Sequence, residues 1–225
     1  MLKKFSILAC SLLCASGQTC RINVNPVTST PLSQADATIV ISRSANESQA
    51  KVDAEITRGF AGVRLEDGQR VRVNGEVLEG TRGDYAAIVN AADSYTIAVT
   101  DPRRGTDQTT IEEPDAFEIT SPNANEDASL SGFMIEWTAA NAQQQVEIEI
   151  SQRLFGDELL LQIGPTEDDG NASITSGQLA STGFGQGQPM TIRLTKIRRV
   201  GSVSGFASAT TECRVTESVI VNPAP

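Results

Sequence analysis

Histidine is absent from the 225 residues. That removes the usual general base, the commonest metal ligand and every Ser-His or Cys-His nucleophile arrangement. Lysine is nearly as scarce: beyond Lys3 and Lys4 only Lys51 and Lys196 remain, against 14 arginines. A Ser-Lys nucleophile needs a buried lysine of depressed pKa. No motif sets a serine beside either lysine, and Lys196 is expected to alternate outward from Met190, Ile192 and Leu194. Aromatic residues make up 4% of the chain, which argues against a sugar-stacking cleft. No CxxC pair exists, so thiol exchange and zinc-thiolate binding are not indicated.

What the chain does have begins at its N-terminus. Lys3 and Lys4 form a short cationic stretch, Phe5 to Ala15 is apolar and too short to span a bilayer, and Ala15-Ser16-Gly17 supplies small residues at the spacing a signal peptidase reads. Residues 1–17 are therefore expected to be a signal peptide. Of the four cysteines, Cys10 and Cys14 fall inside it, leaving Cys20 and Cys213 as a pair expected to form a disulfide between the ends of the mature chain. Ile7-Leu8-Ala9-Cys10 also resembles a lipobox, which makes an outer-membrane lipoprotein the alternative to a soluble periplasmic or secreted protein. Losing Lys3 and Lys4 leaves 16 basic and 28 acidic residues, a net charge of −12. Such a surface repels nucleic acid and anionic lipid.

Alternation of apolar and polar residues is nearly continuous. Ile22 and Val24, Ile39 and Ile41, Val52 to Ile56, Val71 and Val73, Tyr85 to Val89, and Tyr95 to Val99 follow a period of two. Turns at Asp67-Gly68 and Asn74-Gly75 punctuate them. No stretch has a sustained helical period. The polar, Pro-bounded stretch after Asp101 reads as a junction, with a short strand near Thr109 to Ile111. This gives an N-terminal β-sandwich over 18–108, a linker over 109–116, and a second sandwich over 117–225. In that second half the order FEITSPN, GFMIEWT, VEIEIS, EDDGNASITSGQL and MTIRLTKIRR resembles the fibronectin type III-like and Ig-like modules of bacterial secreted and cell-surface proteins. The resemblance implies an all-β fold of two tandem Ig-like sandwiches, with Trp137 in the core.

Other features are weighed against simpler causes. The acidic runs Glu112-Glu113, Glu126-Asp127 and Glu167-Asp168-Asp169 read as solvated loop charge. Glu167, Asp168, Asp169 and Asn171 around Gly170 offer oxygen ligands to calcium, although the spacing is not that of an EF-hand and an Asp-Gly turn explains them. Arg82-Gly83-Asp84 is an integrin-type tripeptide on an expected hairpin tip, where Gly-Asp also suits a tight turn. Arg198-Arg199, with Arg193 and Lys196, is the only basic cluster, read as a hairpin turn through Val200-Gly201. Asn46-Glu47-Ser48 and Asn171-Ala172-Ser173 fit a glycosylation pattern by chance. The expectation is a non-enzymatic, exported envelope protein without a cofactor, binding another envelope or extracellular protein through sheet edges or the tips Glu79 to Asp84 and Gly183 to Gln188. The competing class is a carbohydrate- or calcium-binding accessory protein, or a weak glycan hydrolase using loop carboxylates.

Overall fold

The computed structural model describes residues 30–138 and 144–225. The expected leader 1–17, Cys10, Cys14, Cys20 and the expected strand at Ile22 and Val24 lie outside them. After one 3-10 turn (Leu32–Gln34) come β1 (Asp36–Ser44), β2 (Gln49–Arg58), β3 (Ala61–Gly62), β4 (Arg70–Val73), β5 (Glu76–Val77), β6 (Glu79–Thr81), β7 (Asp84–Asn90), β8 (Ser94–Asp101) and β9 (Gly105–Glu112). The chain continues with β10 (Ile119–Ser121), β11 (Asp127–Ser129), β12 (Gly132–Trp137), β13 (Gln145–Leu154), β14 (Asp157–Glu167) and β15 (Asn171–Thr175). A short helix α1 (Ser176–Thr182) and two long strands, β16 (Met190–Val200) and β17 (Ser208–Ala224), complete it. The all-β expectation holds, with one helix added.

Ten strands form one sheet in the order β14-β13-β16-β17-β1-β2-β7-β6, with β3 beside β2 and β11 beside β17. Two smaller sheets, β5-β4-β8-β9 and β10-β12-β15, complete the set. The period of two explains the packing. Ile39, Ile41, Val52 and Ile56 of the large sheet meet Val71, Val73, Tyr95 and Ile97 of the four-stranded sheet in one core. Ile148, Ile150, Ile192 and Leu194 meet Ile135, Trp137 and Ile174 in a second. At Asn74-Gly75 the left-handed φ values of 48° and 90° give the tight hairpin expected between β4 and β5.

The large sheet is common to both cores. Its seam is β17, which pairs in parallel with β1 from Ser208 to Thr216 and antiparallel with β16 from Thr211 to Val221. The odd residues of β17 share one face. Ala209 and Cys213 enter the first core, whereas Val215 and Val221 enter the second. Packing therefore does not divide near 117: Val203, Ala209 and Cys213 belong to the first core. The stretch expected as a linker over 109–116 is likewise strand through Glu112.

One buried carboxylate ties the start of the described chain to the first core. Asp101 Oδ2 accepts from the Leu32 amide at 3.0 Å and from Gln69 Nε2 at 3.2 Å, while Oδ1 accepts from the Arg103 amide at 3.0 Å. Burial pulls its pKa upward, but the hydrogen bonds from Arg103, Leu32 and Gln69 outweigh this and hold it below the usual value of 3.8. The unfolded chain thus takes up the proton first, so this stabilisation is complete above about pH 4 and is lost as the pH falls through the folded pKa. Asp101→Asn is expected to cost about 1–3 kcal/mol at neutral pH and much less near pH 2, read from urea midpoints.

Candidate functional site

The outward reading of Lys196 is overturned by the register itself. Residue 196 lies two positions beyond Leu194, so a regular β16 turns its ammonium to the same face as Met190, Ile192 and Leu194. Lys196 is fully buried, and its Nζ lies 3.0 Å from Asp168 Oδ2, which is fully buried too. Trp137 Nε1 donates to Asp168 Oδ1 at 2.6 Å. Lys196 Nζ donates to the Thr138 carbonyl at 3.4 Å and stands 5.0 Å from the centroid of the Phe117 ring. Trp137 fills the core as expected, and its indole N–H adds a polar role that the sequence did not reveal.

The acidic run 167–169 is accordingly not one solvated patch. Asp168 points into the core while Glu167 and Asp169 stay exposed. Among the described residues no three His, Cys, Asp or Glu side chains gather to hold a metal ion. The turn between β14 and β15 sends Asp168 inward and leaves Glu167, Asp169 and Asn171 exposed, so the calcium candidates do not converge. The Lys196–Asp168 pair staples β16 to the turn before β15, its charges neutralised inside the core.

A second polar cluster sits where the cores adjoin. Arg43 donates through Nε to Glu113 Oε1 at 2.8 Å, and the Tyr95 hydroxyl donates to the same oxygen at 2.8 Å. Burial, then the hydrogen bond to Glu113, pushes the Tyr95 phenol up. Cys213, a free thiol among the described residues, lies in this setting. Burial first, and the Glu113 charge second, push its pKa up to about 12. A hollow of about 650 Å³ nearby is lined by Phe117, Thr138, Glu118 and Glu217. The Glu217 carboxyl is pushed up by burial and by Glu118. Among the described residues neither serine nor lysine lines this hollow.

The basic cluster is consumed in ion pairs on both faces of the large sheet. Arg198 pairs with Glu112, Arg193 with Glu149, Arg199 with Glu212 at 2.7 Å, and Arg214 with Glu147 at 3.2 Å. Such exposed pairs contribute little stability, yet they leave no concentrated positive patch at Arg198-Arg199. These residues are strand, not a turn.

Both expected binding tips are exposed at most of their residues but anchored from beneath. Arg82-Gly83 does turn the chain between β6 and β7, with φ of 61° and 99°. The turn, however, is folded onto the β2–β3 hairpin: Gly83 is buried, and its carbonyl accepts from the Ile56 amide at 2.7 Å. A Cβ on Gly62 would lie 1.8 Å from the Arg82 carbonyl oxygen. Residues 183–188 are the loop leaving α1, and Gln152 holds them down by donating to the Gly185 and Gln188 carbonyls at 2.6 and 2.7 Å.

A different edge is open. Among the described residues β14 ends the large sheet with β13 as its only strand neighbour, and helix α1 packs against it near Leu159. The two-residue loop Phe155-Gly156 closes this hairpin at Leu154 and Asp157. Alternation from that closing pair sends the main-chain groups of Leu159, Leu161 and Ile163 toward β13, and those of Glu158, Leu160 and Gln162 away from it. Leu159, Leu161 and Ile163 only partly fill the second core, and Leu160 is 46% exposed on the outer face. At the tip, Phe155 is fully exposed with a left-handed φ of 53°, a conformation that costs a bulky residue about 1–2 kcal/mol. No packing offsets that cost. Phe155→Asn, which suits this turn, is expected to raise stability by about 1 kcal/mol, measured as a higher denaturant midpoint.

A scan against protein-family models and a search of curated proteins both found no match to the chain.

Proposed function

We propose that the chain is a non-enzymatic, exported component of a bacterial cell envelope, built as two Ig-like sandwiches fused through one sheet, which binds other protein by strand addition at the β14 edge. Export rests on the features of residues 1–17, and the Ig-like reading rests on strand patterning and on each core lying between two sheets. The absence of histidine and the internal pairing of Lys196 and the arginines favour binding over catalysis.

One observation carries the choice of surface. Among the described residues β14 is an eleven-residue edge with no strand beyond it, headed by Phe155, whose exposure and backbone conformation work against stability. Natural sheets blunt such edges with charge, proline or cover, and the stretch Leu159 to Gly164 carries no charge. The test compares wild type with Leu160→Pro as bait in envelope extract. Proline removes an amide that points away from β13, so the fold keeps its ladder. Envelope proteins held by the wild type and lost from the variant are expected. Equal recovery by both baits, or turnover of a glycan by the purified protein, would overturn the reading.

A further inference from the structure

Resting on that reading of the β14 edge, we infer that its occupant is the β14 strand of a second copy of this chain, paired antiparallel about a two-fold axis at Leu160. The outward main-chain groups are self-complementary in this register. Leu160 faces Leu160, and Glu158 faces Gln162, so each free amide meets a free carbonyl. Leu159 then lies opposite Leu161, and Asp157 opposite Ile163.

Charge selects the same pairing. The strand carries Asp157 and Glu158 at one end and Glu167 at the other, and an antiparallel mate places none of these opposite another acid. A parallel mate in register would stack all three against their equivalents, which is unfavourable. In a chain of net charge −10, an uncharged stretch from Leu159 to Gly164 is where two copies can approach.

The apolar groups agree as well. A two-fold axis perpendicular to the sheet keeps both inner faces on one side. The partly exposed Leu159, Leu161 and Ile163 of each copy therefore continue one another's core surface. The exposed Leu160 side chains meet across the axis on the outer face.

Sedimentation of the full mature protein across a dilution series tests this. Wild type is expected to show twice the monomer mass at the concentrated end and to dissociate on dilution. Leu160→Pro removes the central edge amide, and Leu160→Lys sets two like charges face to face; both are expected to sediment as monomers with unchanged circular dichroism. A wild type that stays monomeric at every concentration would overturn the second-copy assignment while leaving partner capture at this edge to the bait comparison above. A dimer that survives both substitutions would place self-association elsewhere and overturn it too.

Discussion

Replacing Lys196 by methionine is expected to destabilise the protein by about 3–5 kcal/mol, because it strands the Asp168 carboxylate inside the second core without its counter-charge. Asp168→Asn is expected to cost a comparable amount, since it leaves the ammonium buried against a neutral amide. The double variant removes both charges while the asparagine oxygen still accepts from Trp137 Nε1. It should recover at least about 2 kcal/mol relative to the sum of the single changes. Urea unfolding of the four proteins supplies the cycle. Additive costs would show that the pair, 3.0 Å apart, does not act as a unit. Lys196 Nζ also stands 5.0 Å from the centroid of the Phe117 ring, and methionine keeps a side chain of similar volume there, so the cycle isolates charge from volume.

The second large effect concerns how the chain divides. A fragment ending at residue 116 contains β1 to β9 but lacks β17, on which β1 depends for one of its two strand neighbours. It also lacks Val203, Ala209 and Cys213 of the first core. Such a fragment is expected to be unfolded, with collapsed amide dispersion in its NMR spectrum. The full mature chain should melt in one transition, because β17 places its residues in both cores and neither can be lost alone. Two separated transitions, or a folded fragment, would restore the picture of two independent tandem sandwiches.

These two cases show what sequence patterning reveals and what it does not. Strand content was legible because apolar residues such as Ile39 and Ile41 or Ile192 and Leu194 repeat every two positions. The turn at Asn74-Gly75 announced itself by residue type. The same rule places Lys196 on the core face with Leu194, so the outward expectation miscounted the register; what meets its ammonium is a partner 28 positions away that no local pattern identifies. Trp137 Nε1 and Asp168 are likewise separated by 31 positions. The role of β17 as a seam is equally non-local, since its alternation is that of any strand and only the pairing partners reveal two cores.

Helix α1 escaped because seven residues are too few for a 3.6-residue period. Its signal was the capping box, Thr175 with Gln178, together with the left-handed Gly183 that ends it. The open edge was hidden for another reason. Leu159 to Ile163 reads as a strand like the others, and only the sheet order reveals that, among the described residues, no strand pairs with its far side. Phe155 gave no turn signal because aromatic residues seldom occupy a left-handed position. That mismatch between residue and conformation is the feature the fold exposes, and local disagreements of this kind concentrate at functional surfaces.

Amide hydrogen exchange along β14, followed at low and at high protein concentration, tests the functional account most directly. At low concentration the account predicts strict alternation: Leu159, Leu161 and Ile163 protected by β13, and Glu158, Leu160 and Gln162 exchanging freely. At high concentration the latter three should become protected while the rest of the sheet is unchanged. Uniform protection along the strand in dilute solution would contradict the open edge, and an edge that stays open however concentrated the protein would contradict the self-pairing.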